Sequence, residues 1–95
     1  MKNLEMKEYQ TNCYDITLSK ASKEDLGDID YIDVRTKGLV RMKDVLMTIE
    51  ASKASIEISS DFDGEILEVN QEVIENPSLL NKEDSPNHWI IKVRK

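Results

Sequence analysis

Ninety-five residues, 34% charged and 39% hydrophobic, describe a chain able to bury one modest core, read as one domain over 1–95. A net charge of −6 repels a phosphate backbone, so nucleic-acid binding is not expected. No stretch reaches the apolar length of a membrane span, and Met1-Lys2-Asn3-Leu4-Glu5 has no apolar signal region, so a cytoplasmic protein without membrane attachment is expected. The single cysteine, Cys13, precludes an intramolecular disulfide, fits a reducing compartment, and reads as a small half-buried residue.

Met1 to Gln10 is polar and reads as a frayed end or a short edge strand, and Ile16-Thr17-Leu18 as a short strand. Ser22 and Asp25 have capping-box spacing with Gly27 at the C-cap position, so a single helical turn is expected between Ser22 and Leu26. Ile29 to Val34 alternates acidic and apolar residues as a strand does, and Lys37-Gly38 signals a turn. Val45 to Ile49 and the segment marked by Ile56 and Ile58 are strands; Asp63-Gly64 is a turn, and Glu65 to Val69 a strand. Asn76-Pro77 breaks the chain and starts a helical turn over Ser78-Leu79-Leu80; Ser85-Pro86-Asn87 is a turn, and Trp89 to Val93 the last strand. Strands this short and turns this frequent predict an all-β barrel or sandwich. Gly27-Asp28-Ile29 leading to Val34, and Gly64-Glu65-Ile66 leading to Val69, form a faint internal echo.

The informative stretch is Val45 to Ser60. With a turn centred on Lys53-Ala54, Ser52 faces Ser55, Ala51 faces Ile56, Glu50 faces Glu57 and Ile49 faces Ile58. Met47, Ile49, Ala51, Ile56 and Ile58 then share one face, and Thr48, Glu50, Ser52, Ser55, Glu57 and Ser59 the other. Lys53 sits at the outermost point among small neighbours that leave it open to an approaching enzyme. The turn lacks the Asn-Gly or Asp-Gly that tight hairpins favour, and opposed Glu50 and Glu57 would mildly repel. Taken alone, these features suit an ordinary solvated lysine flanked by solubilising glutamates.

Ile49-Glu50-Ala51-Ser52-Lys53-Ala54-Ser55 resembles the lipoylation segment of glycine cleavage system H-proteins, which carry a Glu three residues before the modified Lys and an Ala after it. Gly64 lies eleven residues after Lys53, as in that family. Gly64 to Asn70, Glu75 to Asn81, Trp89 to Val93, Ile16-Thr17 and Leu26 to Ile29 resemble its other motifs in order, over roughly Tyr14 to Lys95. The resemblance implies a flattened barrel of two small antiparallel sheets with a pseudo-twofold axis, of the lipoyl and biotinyl carrier type, and one or two helical turns. It also implies lipoic acid in amide linkage to Lys53, as an arm that carries an aminomethyl group between enzymes, and a carrier that is not itself catalytic. Glu50, Glu57, Ser52 and Ala54 would then be read by the modifying lipoate ligase or lipoyltransferase. A biotinyl domain would have methionine on both sides of the lysine, where this chain has Ser52 and Ala54. The only histidine, His88, reads as a surface or packing residue beside Trp89.

The chain departs from full-length H-proteins in a shorter region before Ile16 without their Glu-Trp hairpin, and in having no helix after the last strand. These departures resemble a shorter H-like branch associated with lipoate-dependent ADP-ribosylation in oxidative stress. Its partners are a lipoate ligase, a sirtuin-type ADP-ribosyltransferase and a macrodomain hydrolase. On that reading Glu24 and Asp25 are candidate acceptors of ADP-ribose; the plainer reading makes them first-turn charges favouring a helix N-terminus. Glycine cleavage carrier, redox or lipoate relay, and unmodified structural adaptor are the three competing functions.

Overall fold

The computed structural model describes residues 3–35, 38–81 and 88–95. Among the described residues there are eight strands, β1 (Leu4–Gln10), β2 (Cys13–Leu18), β3 (Ile29–Val34), β4 (Gly38–Val40), β5 (Val45–Ala51), β6 (Ser55–Ser59), β7 (Gly64–Val69) and β8 (Ile91–Arg94). Two short helices, α1 (Lys20–Leu26) and α2 (Gln71–Glu75), and a 3₁₀ turn, η1 (Pro77–Asn81), complete it. Every strand pair is antiparallel, in a five-stranded sheet ordered β1-β2-β8-β7-β4 and a three-stranded sheet ordered β3-β5-β6. The expected all-β architecture of two small sheets is therefore the observed one.

The sheets share one apolar core. Ile32 and Ile49 from the smaller sheet and Ile16, Ile91, Val93 and Val40 from the larger are buried together. Alternation of apolar and polar residues sends one side of each strand inward, which is why this sequence makes two half-buried layers. A bulge between Val45 and Met47 breaks the alternation, so that both Leu46 and Met47 face the core. The two segments of the internal echo are β3 and β7, one in each sheet.

Of the two readings of the N-terminal segment the edge strand is the observed one: Leu4–Gln10 pairs with β2 across a Thr11-Asn12 turn in which Asn12 takes φ 62. Other local expectations are corrected. The region before Ile16 thus does form a hairpin, although without the Glu-Trp motif. Helix α1 begins earlier than Ser22: Ser19 is the N-cap, its Oγ accepting the Ser22 N–H at 3.2 Å, while the Ser22 hydroxyl donates to Asn3 Oδ1 at 2.8 Å. Strand β4 was not expected, because three residues carry too little alternation to register. Helix α2 is too short to show a helical period; its N-cap Asn70 accepts from the Glu72 N–H at 3.2 Å, and its Val73 is buried. The turn at Ser85-Pro86-Asn87 and Lys37 of the Lys37-Gly38 turn lie outside the described residues.

Gly64 begins β7 where a Cβ would lie 2.4 Å from the Arg94 carbonyl oxygen and 3.0 Å from the Phe62 ring. The contact is with backbone of the adjoining strand, which cannot swing aside. Gly64→Ala should therefore destabilise the fold by about 1–3 kcal/mol, lowering the melting temperature by roughly 4–8 °C per kcal/mol in calorimetry.

Candidate functional site

Lys53 lies at the tip of the β5–β6 hairpin and is exposed. The ladder pairs Glu50 with Ser55, Ile49 with Ile56, Thr48 with Glu57 and Met47 with Ile58. This is two residues away from the expected register, so the turn is Ser52-Lys53 and not Lys53-Ala54. The face assignment survives, because a slip of two preserves the period-two pattern while changing every partner. The expected opposition of Glu50 and Glu57 does not survive: both are exposed, but each faces a hydroxyl residue.

The turn itself is unusual. The Ala51 N–H donates to the Ala54 carbonyl at 3.0 Å, leaving two residues in the loop. Neither adopts positive φ, so the loop is not of the kind that matches strand twist and calls for Asn-Gly. Its geometry is held instead from outside. The Ser52 N–H donates to the Asp28 carbonyl at 2.8 Å, and the Lys53 N–H to the Leu26 carbonyl at 3.0 Å. In return the Asp28 N–H donates to Ser52 Oγ at 3.0 Å. The tip is therefore seated on the segment after α1, with Lys53 exposed. Ser52 is engaged by both its N–H and its hydroxyl, and Ala54 is exposed with its carbonyl closing the turn.

Gly27 makes this seat possible. It has φ 76 and ψ −143, a conformation that glycine tolerates and side-chain-bearing residues avoid. A Cβ there would stand 2.5 Å from Ser52 Oγ and 3.2 Å from Lys53 Cγ, so the lysine stem lies over the bare glycine. The Lys53 ammonium then reaches the Glu24 carbonyl at 3.3 Å, in the last turn of α1. A cation is favoured at that helix end, where carbonyls lack intrahelical partners.

Glu24 and Asp25 are exposed in this same last turn. The reading of them as first-turn charges is corrected, because α1 starts at Lys20 and places both carboxylates at its C-terminal end. There they oppose the helix dipole and gain nothing from it. His88 is half-buried, its Nδ1 in hydrogen-bond contact with the Leu79 carbonyl, which makes it a packing residue on η1. Cys13 is buried, more fully than expected. Among the described residues no group of three or more His, Cys, Asp or Glu could hold a metal ion, and no helix is long and apolar enough to cross a membrane.

One residue beside the site went unread. Asn81 ends η1, with its Oδ1 accepting from the Ile29 N–H at 2.9 Å and its Nδ2 donating to the Gly27 carbonyl at 2.9 Å. Asn81 closes the Glu75 to Asn81 segment that resembles the family's helical turn, but no local pattern points to its partners, which lie more than fifty residues away.

Since Glu50 and Glu57 are not directly opposed, their charges carry little of the fold's stability. Glu50→Gln and Glu57→Gln should each stay within about ±0.5 kcal/mol of the parent in urea unfolding. A gain above that range would restore direct repulsion between them.

The sequence profile of the glycine cleavage H-protein family matches residues 2–95. The chain is 38% identical over 80 residues to glycine cleavage system H protein 1 of Caldanaerobacter subterraneus, covering 83% of this chain and 63% of that protein. It is 29% identical over 80 residues to a glycine cleavage system H-like protein of Staphylococcus aureus, covering 84% and 73%, and 31% identical over 78 residues to an H-like protein of Chlamydia pneumoniae, covering 81% and 68%. The matched regions thus span about two thirds of these relatives. A glycine cleavage system H protein from Mycobacterium marinum shares the fold, with TM-score 0.78 and 16% identity over 96% of this chain and 75% of that one. The chain belongs to the glycine cleavage H-protein family.

Proposed function

We propose that the protein is a lipoyl carrier and that Lys53 is its attachment point. The observation that carries this reading is an exposed primary amine at a hairpin tip whose backbone is hydrogen-bonded in place. Among the described residues its one polar partner is the Glu24 carbonyl, so an acylating enzyme has no ion pair to break. The Lys53 nitrogen attacks an activated acyl carbon, the activating group departs with its bonding pair, and the nitrogen releases a proton as the amide forms. The lysine stem resting over Gly27 gives the arm a fixed point of departure. When attached, lipoate supplies a dithiolane on a long tether. The modifying partner is a lipoate ligase or lipoyltransferase, with Glu50, Glu57, Ser52 and Ala54 on the surface it meets, and the client enzymes are those of glycine cleavage.

A second reading has one observation in its favour. Glu24 and Asp25 stand in the helix turn that receives the Lys53 amine, at a helix end where acidic charge has no structural benefit. On this reading they accept ADP-ribose from a sirtuin-type transferase that engages the lipoylated arm, and a macrodomain hydrolase reverses the mark. On this reading the lipoylated protein supports ADP-ribosyl incorporation and little glycine–bicarbonate exchange; on the first reading the balance is reversed.

Co-expression with a lipoate ligase, followed by intact-mass measurement, tests the attachment point. The parent should gain one lipoyl group and Lys53→Arg none, while the variant's melting temperature stays within a few degrees because the side chain is exposed. A lipoyl group on the Lys53→Arg protein would place the site elsewhere.

A further inference from the structure

The segment from Leu26 to Ile29 has two hydrogen-bonding edges, as an extended chain does. One edge serves the hairpin tip: the Leu26 carbonyl accepts from the Lys53 N–H, and Asp28 exchanges bonds with Ser52 through both its N–H and its carbonyl. The other edge presents the Gly27 carbonyl and the Ile29 N–H, and both are taken by the one side-chain amide of Asn81. An asparagine amide offers a donor and an acceptor side by side, as a neighbouring strand's backbone would. No other single residue of this length satisfies both. Leu80, immediately before it, is completely buried, so the backbone that carries the amide is anchored in the core.

We propose that Asn81 is a positioning residue for Lys53, acting through the Gly27 segment to hold the hairpin tip in the conformation that the lipoylating enzyme recognises. The proposal rests on the reading of Lys53 as the lipoyl site. The Ser52-Lys53 turn has no φ-positive geometry to hold itself, and both of its N–H groups bond to carbonyls of this segment. When the segment loses its second edge, the tip loses its template. An enzyme that binds only the seated tip then meets a smaller competent fraction, and its apparent affinity falls in proportion. The chemical step, once the tip is bound, is untouched.

Asn81→Asp is the discriminating change. It keeps the size and the acceptor toward the Ile29 N–H but removes the donor and sets a carboxylate against the Gly27 carbonyl. Hydrogen exchange should then quicken about tenfold at the Ser52 and Lys53 amides and stay unchanged at Ile49 in the core of β5. Lipoylation by a lipoate ligase should show KM raised about tenfold with kcat nearly unchanged. Should Asn81→Asp fail to fold, Asn81→Ser, which can satisfy only one of the two groups, serves the same comparison. Unchanged exchange at the tip, equal acceleration at Ile49, or a loosened tip with unaltered KM would each overturn the proposal. A parent protein that takes up no lipoyl group would instead sink the reading of Lys53, while the exchange measurement would still judge the clamp.

Discussion

The turn between β5 and β6 is short, bears a charged residue and lacks the backbone geometry that closes such turns unaided. Its shape is imposed by hydrogen bonds from Ser52 and Lys53 to the Leu26 and Asp28 carbonyls. Those bonds require close approach, and close approach requires that position 27 carry no side chain. Much of the surrounding architecture reads as a consequence. Helix α1 ends where it must deliver Gly27, η1 brings Asn81 to the far edge, and β3 continues the same segment into the smaller sheet beside β5.

A carrier site differs from an active site in what it needs. It has to offer one nucleophile, unencumbered, at a fixed place, and the chemistry belongs to the group attached and to the partners. The exposed amine of Lys53 over a bare glycine meets that need. Local charge adds a second feature: Glu24 and Asp25 occupy a helix end that favours cations, and Lys23 in that turn and the Lys53 ammonium in contact with the Glu24 carbonyl supply positive charge there. Acylation would remove the Lys53 charge from that helix turn.

Much of this was legible in the sequence. Strand β3 was read to the residue, and the inward and outward faces of the hairpin were correct because alternation reports faces directly. The hairpin register was not, since alternation is blind to a slip of two, and the turn residues that normally fix register were absent. Ser22 and Asp25 match the capping-box spacing and so mask Ser19 as the N-cap, and that one displacement moves Glu24 and Asp25 from the last turn of the helix to its first. Helix α2 and the bonds of Asn81 were beyond reach for a different reason. The first is too short to show a helical period, and the second depends on tertiary placement that no local pattern encodes.

The most direct test of the account is peptide mapping by mass spectrometry of the protein isolated from its own cells. A lipoyl amide is expected on the peptide containing Lys53 and on no other lysine. Protein unmodified throughout under conditions in which other lipoyl proteins of the same cells are modified, or a lipoyl group on a different lysine, would contradict it.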